Sequence, residues 1–85
     1  MEMICKFVVK GNENIGESID VFENYLIVKV GGEFIGIPLD RVVKVDKEII
    51  IVQDFDMSSA KEVGRRWIEE KSKPVSFEEL EKMGL

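Results

Sequence analysis

The chain has 85 residues and a formal net charge of −5, with 45 % hydrophobic and 34 % charged residues. That balance excludes a disordered chain, and the length predicts one domain over residues 1–85. The acidic balance argues against duplex DNA as a partner, because nonspecific affinity there comes from neutralised phosphates, and no apolar run approaches the ~18–20 residues that a membrane span needs.

The first segment, Met3 to Lys10, reads as a strand, with Lys6 and Lys10 on a wet side and Cys5, Phe7 and Val9 on a dry one. Gly11 to Asn14 reads as a loop. A second strand is expected over Glu17–Phe22, and Glu23-Asn24 is a two-residue turn into Tyr25–Val30. Gly31-Gly32 supplies the positive φ that a tight hairpin turn needs, so Glu33–Ile37 should pair antiparallel with Leu26–Val30. Pro38 has no N–H to donate and marks an edge or a corner. A new strand is expected from about Arg41. Asp46-Lys47 makes a further turn, and Glu48–Val52 returns. Gly36, inside a strand, marks a bend or a close backbone approach.

These short strands, several of them apolar on both faces, predict a mainly β fold with C-terminal α structure. The expected form is a small antiparallel β-barrel of five or six strands over residues 1–55, followed by a helical tail over 56–85 packed on it. In that tail Ala60, Val63, Gly64, Trp67 and Ile68 recur at helical spacing. Ser59 with Glu62 forms a capping box, and Ser76 with Glu79 opens a second short helix with a Val75–Leu80 staple and Gly84 as its stop.

The chemistry available is narrow. The chain has no histidine, so there is no imidazole base, no Ser-His dyad and no His-ligated metal. The single cysteine, Cys5, is expected in the core. Asp54 and Asp56 share one side of a strand end, but a hard cation needs about six oxygens, and Asp56 is better explained by a helix N-terminus. No catalytic residue, metal or cofactor is therefore expected, and the protein is read as non-enzymatic. The candidate partner-binding residues are Tyr25, Phe34, Arg65, Arg66 and Trp67. A protein partner or self-association through them is the first reading. The alternative is RNA or ribosome association, with the sheet aromatics stacking bases and Lys61, Arg65 and Arg66 forming a basic face. The absence of disulfides and of a basic, apolar leader points to the cytoplasm. Abundant Glu and Lys with few amides is the composition of thermophilic, in particular archaeal, proteins.

Gly16-Glu17-Ser18-Ile19-Asp20-Val21, then Tyr25–Val30, Ile37-Pro38-Leu39-Asp40-Arg41-Val42 and Ile49–Val52, resemble the PRC-barrel pattern. That pattern has a G-x-x-[VI]-x-D entry strand, a hairpin, an I-P-L turn and a closing apolar strand. The stretch is also similar to small archaeal β-barrel proteins that form domains of unknown function. The resemblance implies a compact barrel without a catalytic centre, serving as a protein-interaction module. The entry strand departs from the pattern in lacking the second glycine often found there. Sm-like and SH3-like barrels share the same hairpin spacing.

Overall fold

The computed structural model describes residues 4–71. Six strands and one α-helix follow in chain order: β1 (Phe7–Lys10), β2 (Glu13–Phe22), β3 (Tyr25–Val30), β4 (Glu33–Pro38), β5 (Val42–Val45), β6 (Ile49–Val52) and α1 (Met57–Lys71), with a 3-10 turn at Leu39–Arg41. The strands form one sheet in the order β4-β3-β2-β1-β6-β5.

The turns follow their residues. Gly31 adopts a φ of 59°, and the Gly31-Gly32 turn sets Val30 opposite Glu33 and Leu26 opposite Ile37. Glu23 takes a φ of 55° at the β2–β3 turn. Asp46 caps the β5–β6 turn, its carboxylate accepting a hydrogen bond from the Lys47 N–H at 2.8 Å. Gly11, with a φ of 61°, turns more tightly than expected. Lys10 pairs with Glu13 directly, so β2 begins at Glu13 where a loop was expected.

The sheet is open, and this corrects the expected antiparallel barrel. β4 and β5 are its two edges, and β1 runs parallel to β6. Closure would require a ladder between β4 and β5. Pro38 lacks the N–H to extend one, and the 3-10 turn at Leu39–Arg41 redirects the chain before β5 begins. That short link bends the sheet nonetheless, because Pro38 and Val42 can lie at most about 14 Å apart. Register shifts at Val8/Val9 and between Ser18 and Asp20 accommodate the bend.

The concave side is the core. Val8, Leu26, Val28, Ile35, Ile37, Ile50 and Val52 are buried there, joined by Ala60 from the first turn of α1. Ser18 is also fully buried. Its hydroxyl accepts from the Lys6 N–H at 2.9 Å and donates to the Lys6 carbonyl at 3.2 Å, which ties the N-terminal segment to β2 without an unpaired polar atom.

Two further expectations are corrected. The dry side of β1 is Val8; Phe7 is 52 % exposed. Cys5 precedes the strand, exposed and with a φ of 64°. An all-apolar Phe7-Val8-Val9 run has no alternation to fix its face, and the parallel ladder with Ile50 decides it. At α1, the N-cap is Asp56 instead of Ser59. Its carboxylate accepts from the Ser58 N–H at 3.2 Å and from the Ser59 hydroxyl at 2.7 Å. The second helix expected around Ser76–Gly84 lies outside the described residues. Among those described, α1 is the one α-helix.

Candidate functional site

α1 lies on the convex side of the sheet, mainly across β4 and to a lesser extent β3. Two glycines make this approach possible. Val63 packs directly over Gly36, where any β-carbon would collide with its side chain. Gly64 rests on the β4 backbone, and a β-carbon there would lie 2.9 Å from Ile35 Cα and closer still to the Phe34 carbonyl. Ile27, opposite Gly36, is fully buried beneath the helix contact.

The end of α1 is fastened to β2 by polar contacts. The Trp67 indole N–H donates to Asp20 Oδ2 at 2.9 Å, and Lys71 Nζ lies 3.6 Å from the same oxygen. These contacts hold the Asp20 carboxyl below its ordinary 3.8, the Trp67 hydrogen bond foremost, with the Val21 N–H and Lys71 adding to it. The Asp56 carboxyl is likewise lowered, by the Ser59 hydroxyl first and then the Ser58 N–H.

Of the five residues expected at a binding surface, three converge. Phe34 and Trp67 meet with ring centroids 5.3 Å apart at a tilt of 46°. Beside them Gly32, Glu33, Phe34, Lys61, Arg65 and Ile68 line an open groove of about 220 Å³ between α1 and the β3–β4 hairpin. Lys61 Nζ reaches Glu33 at 4.0 Å. Arg65 has no carboxylate within 4.0 Å among the described residues.

Arg66 and Tyr25 lie elsewhere. Arg66 is on the other flank of α1, its Nη2 donating to both carboxylate oxygens of Glu23 at 3.0 and 2.9 Å, with the guanidinium carbon 5.8 Å from the centre of the Phe22 ring. Consecutive helical residues point about 100° apart, so Lys61, Arg65 and Arg66 do not make one basic face. Tyr25 borders a separate hollow with Asn24, Pro38, Leu39 and Asp40. Asp54 pairs with Lys10 at 3.3 Å while Asp56 caps α1, so the two carboxylates are engaged apart.

A second surface was missed by sequence reasoning. Phe7 pairs with Ile49, and Val9 with Ile51, across the parallel ladder. These side chains face away from Val8 and Ile50, onto the convex side that α1 leaves open, and Phe7, Ile49 and Ile51 are 52 %, 42 % and 37 % exposed. Ile49-Ile50-Ile51-Val52 is apolar throughout, so its pattern predicts burial on both faces and cannot single out the uncovered one.

Residues 4–81 match the profile of DUF5749, a family of unknown function. The chain belongs to this family. A comparison with curated proteins returns no match. The DUF5749 match spans every described strand and α1, so the open sheet, its helix and the groove between them all lie within the family's unit.

Proposed function

We propose that this DUF5749 chain is a non-enzymatic protein-interaction module. It binds, in the groove between α1 and the β3–β4 hairpin, a segment of a protein partner that carries a carboxylate next to a bulky apolar side chain. The observation that carries the reading is Arg65. Among the described residues it has no carboxylate within 4.0 Å, and it lines the groove with Phe34 and Ile68, which is 37 % exposed. Arg and aromatic side chains are the usual anchors of protein recognition, and a guanidinium fork matches a carboxylate bidentately. The absence of histidine supports a binding role over acid–base catalysis. The PRC-barrel resemblance of Gly16–Val52 supports it through the interaction role of those proteins, not through their closed barrel. The cytoplasm is the proposed compartment, and the Glu- and Lys-rich composition supports a thermophilic source, archaeal proteins among them.

Selection from a library of short displayed peptides tests the reading. Enriched peptides should share an Asp, Glu or free C-terminus adjacent to an aromatic or branched aliphatic residue. Their binding should be abolished by Arg65→Glu and retained by Arg66→Glu. Enrichment of basic peptides, or equal loss in the two variants, would refute it.

A further inference from the structure

The outer face of the β2-β1-β6-β5 part of the sheet is a lattice of four strands by two rows. Strand pairing sets Glu17, Phe7 and Ile49 side by side in one row, and Asn14, Val9, Ile51 and Lys44 in the other. Asp46 completes the first row: its N–H donates to the Ile49 carbonyl at 2.8 Å, and it lines a shallow hollow together with Ile49. The two middle strands are apolar on this face, with Phe7, Ile49 and Ile51 exposed, because α1 packs on β4 and β3 instead. β1 and β6 run parallel, and parallel ladders are ordinarily covered on both faces. We propose that the cover is a second copy of this chain, the two faces stacking about a two-fold axis that runs across the strands.

In that orientation the face is complementary to itself. Aligned sheets stack about 10 Å apart, with the side chains of the two facing surfaces in contact. A two-fold across the strands lays each strand over its own copy and exchanges the two rows. Phe7 then meets the second copy's Val9, Ile49 meets its Ile51, Lys44 meets its Asp46 and Glu17 meets its Asn14, and symmetry repeats every contact. The charged pair is available for this. Among the described residues neither Lys44 nor Asp46 has an ion-pair partner within 4.0 Å, and the Asp46 carboxylate accepts from the Lys47 N–H. A two-fold along the strands would instead lay β2 over β5 and set Glu17 against Asp46. Like charges facing each other across an interface rule against that arrangement.

Four strands at ordinary spacing, four residues deep, present only about 19 by 13 Å. That is smaller than a standard stable interface, so the association belongs to the weak, reversible class. The face stands apart from the groove, which lies between α1 and the β3–β4 hairpin, so the two readings can fail separately.

Sedimentation equilibrium of the full chain up to about 1 mM tests this, since a dissociation constant in the upper micromolar range then gives mostly dimer. The parent should show a reversible monomer–dimer equilibrium. Phe7→Ser and Ile49→Ser, both at exposed positions, should each raise the dissociation constant about tenfold or more, with the circular dichroism of the parent retained. Arg65→Glu should leave it unchanged. Lys44→Asp makes β5 acidic in both rows and Asp46→Lys makes it basic in both. Each of these alone should stay monomeric, and their equimolar mixture should dimerise. A parent that stays monomeric throughout would overturn the proposal and leave the strip to another segment of the chain or to a different protein. A dimer indifferent to Phe7→Ser and Ile49→Ser would overturn it too, as would a mixture no more associated than its two components.

Discussion

Gly64→Ala tests how α1 sits on the sheet. On a free helix this change favours folding by about 1 kcal/mol, because alanine lowers the entropy cost of helix formation. Here the new β-carbon would press on the Phe34 carbonyl and lie 2.9 Å from Ile35 Cα. Both are β4 backbone, held by the ladder to β3, so neither gives way as a flexible side chain would. The helix must lift by roughly 1 Å, since non-bonded carbons settle at about 3.5–4.0 Å. A lift of that size forfeits a quarter to a half of each contact across the interface. Val63 and the Trp67 ring together bury some 4 kcal/mol of apolar contact by ordinary transfer values, so the gross loss is about 1–2 kcal/mol, with local strain adding a further 1–3 kcal/mol. After the propensity gain, a net destabilisation of about 1–4 kcal/mol is expected. Guanidinium unfolding followed by the fluorescence of the single tryptophan, Trp67, should show a lower midpoint at unchanged slope. A midpoint equal to or above that of the parent would refute the close approach of α1 to β4.

Ile50→Ala removes a fully buried core side chain and should cost about 2–5 kcal/mol in the same unfolding assay. Arg66→Ala breaks an ion pair whose two side chains are about half exposed, so its cost should stay below about 1 kcal/mol and shrink with added salt. Asp20→Asn should reveal a pH dependence in its difference from the parent. The folded Asp20 carboxyl is held below its ordinary 3.8, so its stabilisation is complete above that value and is lost as pH falls through the folded value. The stability gap between parent and variant should therefore be constant near neutrality and close in acid, measured by urea unfolding across that range. Asp56→Ala, which removes the helix cap, should lower the melting temperature more than Asp56→Asn, since asparagine keeps a capping oxygen.

Local chemistry was legible where a residue has few conformational options. Gly31-Gly32, Glu23-Asn24, Asp46-Lys47 and Pro38 each placed a turn or corner, and the β3–β4 register follows from the first of them. The stripe of Ala60, Val63 and Gly64 placed the buried face of α1. What could not be read is long-range. No turn residue marks the parallel pairing of β1 with β6, whose partners lie about forty residues apart, so an all-antiparallel barrel followed from hairpins alone. Runs such as Phe7-Val8-Val9 and Ile49–Val52 carry no alternation, which hid the uncovered strip. Within the groove, Phe34, Arg65 and Trp67 were identifiable as aromatic and cationic residues. That Arg65 has no carboxylate among the described residues while Arg66 is held by Glu23 depends on which flank of the helix meets the β2–β3 turn, and helix spacing does not encode that.

Backbone amide shifts of the isotope-labelled full chain, recorded during titration with the peptide that the library selection enriches most, test the account most directly. The groove reading predicts saturable changes concentrated at Gly32, Phe34, Lys61, Arg65 and Ile68, lost in Arg65→Glu. Changes centred on Tyr25, Leu39 and Asp40, or unaltered in Arg65→Glu, would contradict it.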